Sequence, residues 1–207
     1  MQTYRTEQEQ FWASDFGNDY IARNEDQSLI AANLALFAKI LNRTSPVTSA
    51  LELGANIGLN LRAIRQLLPH ADLEAVEINA AAAQQLRAAG IADAVHHASI
   101  LDFAPKRAYD LLFTVGVLIH IAPDELSRVY DLMYRSSNRY IVVAEYYNPT
   151  PVTIPYRGHG ERLFKRDFAG EIMDRFTDVS LLDYGFVYRR DPNFRHDDIT
   201  WFLVEKR

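Results

Sequence analysis

Residues 49–60, SALELGANIGLN, contain the side chains whose types and spacing point most directly to chemistry. A carboxylate, Glu52, is followed by Gly54, Asn56 and Gly58 at alternate positions. Apolar residues that lead into a carboxylate and then into turn-forming residues predict a buried strand, a tight turn and a helix. In α/β proteins the turn after such a strand is a common place for a bound ligand. The residues of this turn therefore indicate which ligand fits.

Three classes of ligand compete for such a turn. A phosphate-binding P-loop needs Gly-Lys-Ser or Gly-Lys-Thr, whereas Leu59 and Asn60 follow Gly58 here. A dinucleotide fingerprint needs its last glycine five residues after its first, and that position is also Leu59. S-adenosylmethionine (SAM) is an overall cation, so the carboxylate of Glu52 is favourable beside it. Asn56 replaces the middle glycine of an acidic-x-Gly-x-Gly-x-Gly spacing, and asparagine tolerates a positive φ.

Two later strand ends carry residues that a nucleoside-containing cofactor requires. Glu77 ends the second predicted strand, about where a carboxylate binds ribose hydroxyls in this architecture. Ser99 and Ile100 follow the third strand and are expected to flank an adenine ring. Each residue has an ordinary structural alternative, but their order along the chain favours SAM. The residues expected to bind the cofactor are Glu52, Gly54, Ala55, Asn56, Gly58, Glu77, Ile78, Ser99, Ile100, Leu101, Thr114, Gly116 and Val117.

Alternating strands and helices position these residues. The predicted strands cover residues 50–53, 72–79, 94–100, 109–115 and 139–147. The predicted helices cover residues 25–42, 58–68, 80–89 and 124–136, the first of them opened by a capping box of Asn24 and Gln27. This alternation predicts a doubly wound α/β sheet that is mostly parallel.

The pattern changes after residue 147. A Pro- and Gly-rich loop over residues 148–160 leads to a short helix at 167–176. Two final strands, at 179–189 and 199–205, are separated by the turn signal RDPNF. We expect these two strands to form an antiparallel hairpin at the edge of the sheet.

Composition narrows the class of protein. A chain of 207 residues fits one domain, in which residues 1–45 form a helical cap and residues 148–170 a lid-like insertion. The formal net charge of −5 argues against nucleic acid or a membrane surface as the partner, since each requires a basic face. The start of the chain lacks the apolar segment of a secretory signal, which favours a cytoplasmic protein.

Metal chemistry is not expected. The chain has no cysteine, so a Cys-ligated zinc site is excluded. His96 and His97 are neighbours on a predicted strand, and neighbouring side chains on a strand point to opposite faces. The two histidines therefore cannot share a metal ion.

Methyl transfer from SAM depends on positioning and on removal of a proton from the acceptor. The acceptor should approach over the ends of the fourth and fifth strands. His120 is the best candidate for the base there, because its unperturbed pKa lies near neutral pH. A histidine packed under Leu118 and hydrogen-bonded to the backbone is an equally weighted alternative. Glu145 and Tyr146 are the other candidate catalytic residues.

A local group of basic residues follows the fifth strand. It consists of Arg157, His159, Arg162, Lys165 and Arg166. The group is either an ordinary solvated loop or the cationic half of a lid that pairs with a carboxylate or phosphate of the acceptor. The residues expected to bind the substrate are Tyr147, Asn148, Arg157, His159 and Arg162.

The N-terminal segment FWASDFGNDYIARN is rich in aromatic residues. Trp12, Phe16 and Tyr20 recur at four-residue spacing, which is typical of one helical face. That face either packs against the domain or caps the cofactor. In the second case Tyr20, Arg23 and Asn24 would reach the carboxylate of SAM.

The motifs LELGANIGLN, VEIN, SILDF and FTVGVLIHI together resemble the successive cofactor motifs of the class I SAM-dependent methyltransferases. The resemblance covers about residues 50–147 and implies a sheet order of 3-2-1-4-5-7-6, with strand 7 antiparallel. The segments AEYYNPTPV, PYRGHGERLFKRDFAGE and DYGFVYRRDPNF extend a closer similarity, to the pseudaminic acid biosynthesis-associated methylases, over nearly the whole chain. That similarity implies a context in nonulosonic sugar pathways. The leading hypothesis is therefore a small anionic acceptor, such as a nonulosonic sugar or a nucleotide sugar.

Two other functions remain open at this point. A non-catalytic SAM-binding module would keep Glu52 and Glu77 but would lack a closed acceptor pocket. An NAD-dependent oxidoreductase would need a glycine in place of Leu59.

Overall fold

The computed structural model describes residues 4–23 and 28–207. Within these ranges the helices are α1 (Glu7–Ala13), α2 (Asp15–Arg23), α3 (Ser28–Leu41), α4 (Leu59–Leu67), α5 (Ala80–Ala89), α6 (Leu126–Ser136) and α7 (Phe168–Arg175). The strands are β1 (Ser49–Leu53), β2 (Asp72–Glu77), β3 (Ala94–His97), β4 (Tyr109–Val115), β5 (Ser137–Glu145), β6 (Val152–Tyr156), β7 (His159–Lys165), β8 (Val179–Val187) and β9 (Ile199–Lys206). None of the described helices combines the length and apolarity needed to cross a bilayer.

Seven of the strands form one sheet in the order β3-β2-β1-β4-β5-β9-β8. β1 to β5 run parallel, and β9 inserts antiparallel between β5 and β8. This confirms the expected order 3-2-1-4-5-7-6, since β8 and β9 are the sixth and seventh strands of that sheet. The terminal antiparallel hairpin is confirmed as well. The predicted capping box of Asn24 and Gln27 lies outside the described residues.

Apolar residues cover both faces of the sheet, which makes it doubly wound. One cluster joins the sheet to Phe37 and Ile40 of α3 and to Ile64 of α4. The other joins it to Met133 of α6 and Ile172 of α7. Because neighbouring side chains on a strand alternate between faces, the central strands need apolar residues at nearly every position. The continuous apolar run of β4 meets this requirement.

The turn from β1 into α4 has the conformation that its residues predict. Asn56 has a φ of 47° and Gly58 a φ of 81°. At Gly54 an added Cβ would lie 2.6 Å from a methyl group of Val117 in the segment after β4. The absence of a side chain therefore allows the turns after β1 and β4 to pack directly against each other.

The segment expected to be a loop over residues 148–160 is largely a β-hairpin, and this part of the prediction is wrong. β6 and β7 pair antiparallel outside the main sheet. Arg157 and Gly158, with φ of 49° and 86°, form the two-residue turn that favours such hairpins. Pro155 lies where the register of the pair shifts, which is a place where a strand tolerates proline.

The N-terminal aromatic residues belong to two helices. α1 ends at Ala13 with Ser14 as its C-cap, and α2 begins at Asp15, so Trp12 and Tyr20 do not share a helix. Their rings still meet, with centroids 5.2 Å apart, and Phe16 lies 5.4 Å from Trp12. The spacing thus predicted the contacts but not the break between the helices.

Gly58 provides a test of the packing beneath the first turn. An added Cβ would overlap a methyl group of Leu86, in addition to the strain of a positive φ. We expect Gly58→Ala to lower the free energy of unfolding in urea by about 2–4 kcal/mol. Gly90→Ala is the matched control, because Gly90 also has a positive φ but an added Cβ there has open space. It should cost about 1 kcal/mol. Equal losses in the two variants would contradict the proposed overlap, and Leu86→Ala should partly rescue Gly58→Ala.

Candidate active site

A cavity of about 650 Å³ lies at the carboxyl ends of the parallel strands. Its volume is within the range of small-molecule sites. The predicted cofactor residues that line it are Gly54, Ala55, Asn56, Glu77, Ile78, Ser99, Ile100, Leu101, Gly116 and Val117. The structure therefore brings together, in one wall, residues from the ends of four strands. Glu52, Gly58 and Thr114 lie behind this wall.

Glu77 is positioned by the turns on either side of it. Its two carboxylate oxygens accept hydrogen bonds from the backbone N–H groups of Asn56, at 2.6 Å, and Asn79, at 2.7 Å. Burial raises the pKa of Glu77, and these N–H groups oppose that shift. Each carboxylate oxygen has a second lone pair, so Glu77 retains the capacity to accept a pair of hydroxyl groups from the cavity.

Glu52 is fully buried, and a hydrogen bond connects it to a residue of the cavity wall. One carboxylate oxygen accepts a 2.7 Å hydrogen bond from the Asn60 amide, and Asn60 lines the cavity. The other oxygen has no hydrogen-bond partner among the described residues. Burial raises the pKa of Glu52 well above its ordinary value. The side chain therefore positions Asn60, and a direct contact between Glu52 and a ligand stays a prediction.

Ser99 connects the third strand end to α1. Its hydroxyl donates a hydrogen bond to Glu9 and accepts one from the backbone N–H of Leu101, at 3.0 Å. The second carboxylate oxygen of Glu9 accepts the backbone N–H groups of Arg5 and Thr6. Glu9 is buried and lines the cavity, and sequence reasoning missed it. The spacing of Thr6 and Glu9 indicates a capping box, but nothing local indicates the contact with Ser99.

The N-terminal helices close one side of the cavity. The Asn79 amide donates hydrogen bonds to the backbone carbonyl of Trp12, at 3.2 Å, and to the side chain of Asn18, at 3.0 Å. Gly17 permits this approach, because a Cβ there would lie 2.7 Å from the Asn79 amide nitrogen. Trp12, Gly17 and Tyr20 line the cavity. Asn24 and the side chain of Arg23, which we expected near a ligand carboxylate, lie outside the described residues.

His120 lies in a short 3-10 turn, Leu118–His120, and its side chain lines the cavity. Its Nδ1 is 2.6 Å from the backbone carbonyl of Arg162, so Nδ1 carries the proton and donates it. The rings of Trp12 and Tyr156 pack against it, with centroids 4.6 and 4.9 Å away. Burial lowers the pKa of His120 to about 4. The imidazole is therefore neutral at neutral pH and only weakly basic, and its Nε2 lone pair has no hydrogen-bond partner among the described residues.

Glu145 and Tyr146 have structural partners, and their catalytic roles stay a prediction. Glu145 is buried and accepts the backbone N–H groups of Val117, Leu118 and Ile119 at 3.0–3.4 Å. Burial raises the pKa of Glu145 to about 7. The Tyr146 hydroxyl donates a 2.9 Å hydrogen bond to Asp197. Neither residue lines the cavity, and Glu145 instead orders the turn that carries His120.

Four of the expected substrate-binding residues, Tyr147, Asn148, Arg157 and Arg162, lie outside the cavity wall. Arg162 forms a 2.9 Å ion pair with Glu7. Arg157 is at the exposed hairpin turn, where its guanidinium stacks on Tyr156. Tyr147 is half exposed, and the Asn148 amide bonds the carbonyl of Thr150. The side chain of His159 lies outside the described residues. The basic segment is thus a hairpin anchored to α1, which local sequence cannot reveal because the ion pair joins distant segments.

The connection between β8 and β9 supplies residues that sequence reasoning missed. Arg189, Arg195, His196 and Asp197 line the cavity. His196 accepts the N–H of Asp197 on Nδ1 and donates from Nε2 to the buried side chain of Asn33 in α3, at 3.0 Å. Burial lowers the pKa of His196, which keeps it neutral in this arrangement. The high density of charged residues in RRDPNFRHDD is the signal that could have identified this connection.

The neighbouring histidines of β3 have separate partners. Nε2 of His96 is 2.7 Å from the Glu74 carboxylate, whereas Nε2 of His97 is 3.1 Å from the carbonyl of Ile78. Across the described ranges, no three potential ligands of the His, Asp, Glu or Cys type converge on one point.

Solved structures with a similar fold are SAM-dependent methyltransferases. A magnesium protoporphyrin IX methyltransferase from Synechocystis, solved with SAM, has a TM-score of 0.67 at 11% identity, over 100% of both chains. A SAM-dependent methyltransferase from Leishmania major has 0.70 at 13%, over 95% of this chain and 81% of that chain. A Burkholderia thailandensis 1,6-didemethyltoxoflavin-N1-methyltransferase, solved with that compound and S-adenosylhomocysteine, has 0.69 at 13%, over 100% and 93%.

At these identities the likeness establishes the fold. The chain has the class I fold of the SAM-dependent methyltransferases, with the characteristic sheet order and its antiparallel strand. No family model matches the sequence, and no curated protein matches it.

The low pKa of His120 predicts how stability depends on pH. The folded pKa of about 4 lies below the ordinary 6.5, so the unfolded chain binds the proton more tightly. The stabilisation from a neutral His120 is therefore present above pH 6.5 and is lost as the pH falls toward 4. Relative to His120→Gln, whose amide can still donate to the Arg162 carbonyl, the wild type should lose about 2 kcal/mol over this interval. Urea unfolding at several pH values measures this difference. Parallel pH profiles for the two proteins would show that His120 is accessible to water.

Proposed function

We propose that the protein is a SAM-dependent methyltransferase that acts on a small anionic acceptor. The observation that carries this proposal is the position of Glu77, which lines the same cavity as the turn residues Gly54 to Ile57. A carboxylate held by backbone N–H groups beside a tight turn can accept hydrogen bonds from ribose hydroxyls. Its negative charge also favours a cationic amino-acid moiety in the same cavity. The fold and the lack of a glycine at position 59 favour SAM over a dinucleotide.

The described cavity residues can be assigned to the ribose, the adenine ring and the methionine moiety of SAM. Glu77 would accept the ribose hydroxyls, and Ile78, Ile100 and Leu101 would enclose the adenine ring. The turn at Gly54 and the turn at Gly116 would face the methionine moiety. Bound SAM supplies an activated methyl group. The N-terminal helices exclude water from this side of the cavity, because Glu9 and Asn79 hold them against the sheet.

His120 would orient the acceptor. Its Nε2 lone pair can accept a hydrogen bond from a hydroxyl or amine, while Nδ1 remains bonded to the Arg162 carbonyl. Because the pKa of His120 is lowered to about 4, this hydrogen bond would orient the acceptor more than it would remove its proton. Methyl transfer tolerates such a weak base, since its rate depends chiefly on the alignment of the attacking atom with the methyl group.

We further propose that the acceptor is a nonulosonic sugar or a nucleotide sugar of similar charge. Sequence similarity to the pseudaminic acid biosynthesis-associated methylases supports this class, and the arginines of the β8–β9 connection supply cations for an anionic group. A screen of anionic sugars with SAM, read by the mass gain of one methyl substitution, tests it. Methylation of neutral compounds alone would refute the anionic class. Cofactor binding without turnover on a broad panel would favour a non-catalytic SAM-binding module.

Glu77 provides the test of cofactor binding. Glu77→Ala removes two charge-assisted hydrogen bonds to the ribose, each worth roughly 1.5–3 kcal/mol. We expect at least tenfold weaker binding of S-adenosylhomocysteine by calorimetry, and an equal loss for 5′-methylthioadenosine, which keeps the ribose. Glu205→Ala is the control, because Glu205 pairs with Arg139 and neither residue lines the cavity. Wild-type affinity in folded Glu77→Ala would overturn the assignment of the ribose site.

His120 should matter for turnover more than for cofactor affinity. We expect His120→Ala to lower kcat about 10²-fold, at the lower end of the effect of a positioned proton acceptor, since its pKa is low. His120→Gln should retain more activity, because its amide can bond both the Arg162 carbonyl and the acceptor. Steady-state kinetics on an acceptor found in the screen measures this. An unchanged kcat in both variants would leave His120 a packing residue.

A further inference from the structure

Five charged side chains are described in the cavity wall, and one of them differs from the others. They are Glu9, Glu77, Arg189, Arg195 and Asp197. Backbone N–H groups bond both glutamates, a tyrosine hydroxyl bonds the aspartate, and Asp198 pairs with Arg189 at 3.3 Å. Arg195 has no hydrogen-bond or ion-pair partner among the described residues. Its five N–H donors are therefore available to a molecule in the cavity.

The backbone around Arg195 is held in place on both sides. Asp191 accepts the N–H groups of Asn193 and Phe194, both at 2.8 Å. His196, the next residue, is bonded to Asn33 of α3. The backbone of Arg195 therefore lies between two anchored residues, so binding an anion would order the exposed side chain but would not need to order the loop.

Arg195 lies on the acceptor side of the cavity. It belongs to the connection that leads into β9, and β9 pairs with β5. The ribose and adenine residues come from the ends of β2 and β3, on the opposite half of the sheet. An anion bound by Arg195 therefore lies away from the nucleoside part of the cofactor.

We propose that Arg195 is a specificity-determining residue, which binds a carboxylate or phosphate of the methyl acceptor through its guanidinium. Arg189 is the weaker candidate, because Asp198 already neutralises it. The proposal rests on the proposed function, which supplies the reason for an acceptor in this cavity. The proposal places the anion site in the β8–β9 connection, whereas the sequence analysis expected it at the hairpin residues Arg157 and Arg162. A planar guanidinium can bond either anion with two parallel hydrogen bonds.

The carboxylate of SAM is a second anion that the Arg195 guanidinium could bind. Binding of S-adenosylhomocysteine, which has that carboxylate, and of 5′-methylthioadenosine, which lacks it, separates the two anions. We expect Arg195→Ala to bind both compounds within twofold of the wild type by calorimetry. Arg190→Ala is the matched control, because Arg190 is an exposed arginine of the same connection that does not line the cavity.

The anion site itself is tested on the complex with S-adenosylhomocysteine. Inorganic phosphate and N-acetylneuraminate are titrated at constant ionic strength, with the methyl ester of N-acetylneuraminate as the neutral match. We expect both anions to bind the wild type and Arg190→Ala, and to bind Arg195→Ala at least tenfold more weakly. The methyl ester should bind all three proteins with the same weak affinity.

Two results would overturn this assignment. The first is a selective loss of S-adenosylhomocysteine affinity in Arg195→Ala, with 5′-methylthioadenosine unaffected, because Arg195 would then hold the carboxylate of the cofactor. The second is equal binding of the anions by all three proteins, or no binding to the wild-type complex. Failure of the wild type to bind S-adenosylhomocysteine at all is a separate outcome, which refutes the proposed function.

Discussion

Buried carboxylates at the strand ends determine the shape of the cavity. Glu52, one residue before the end of β1, holds Asn60. Glu77 ends β2 and holds the turns at Asn56 and Asn79, and Glu145 ends β5 and orders the turn after β4. Each charge loses hydration on burial, and the pKa of each is raised accordingly. Backbone N–H groups of the turns bond Glu77 and Glu145, and the Asn60 amide bonds Glu52. These hydrogen bonds offset part of the cost of burial and hold the turns in place. A cationic ligand would offset it further.

The N-terminal helices depend on the same strand ends for their position. Glu9 reaches the Ser99 hydroxyl, Asn79 holds the backbone of α1, and Gly17 allows α2 to approach. The residues that bind the helices also line the cavity, so a ligand there would contact the helices and the sheet together.

The fold could be predicted from sequence because its signals are local. Apolar runs, Gly58 and the order of the strand-end residues are contained within short windows, and they predicted the alternating strands and helices of a doubly wound sheet. The order of the strands was implied by the resemblance to the class I SAM-dependent methyltransferases. The hairpin of β6 and β7 was missed because Pro155 and two glycines indicate a loop, whereas a register shift accommodates the proline. The partners of Arg162 and Ser99 could not be predicted, since Glu7 and Glu9 are far away along the chain. Polar contacts between distant segments produce no periodic pattern in the sequence.

The chemistry of His120 follows from what surrounds it. Aromatic rings on two sides and the Arg162 carbonyl bury the imidazole, which lowers its pKa and also fixes its tautomer. A strong base would require the opposite environment, with water or a carboxylate beside the ring. Transfer of a methyl group from a sulfonium disperses charge, so the reaction demands alignment of the attacking atom before it demands basicity. A rigid, neutral hydrogen-bond acceptor in an enclosed cavity meets that demand. The acceptor can then lose its proton to solvent after the new bond to the methyl group has formed, because methylation makes the proton on that atom strongly acidic.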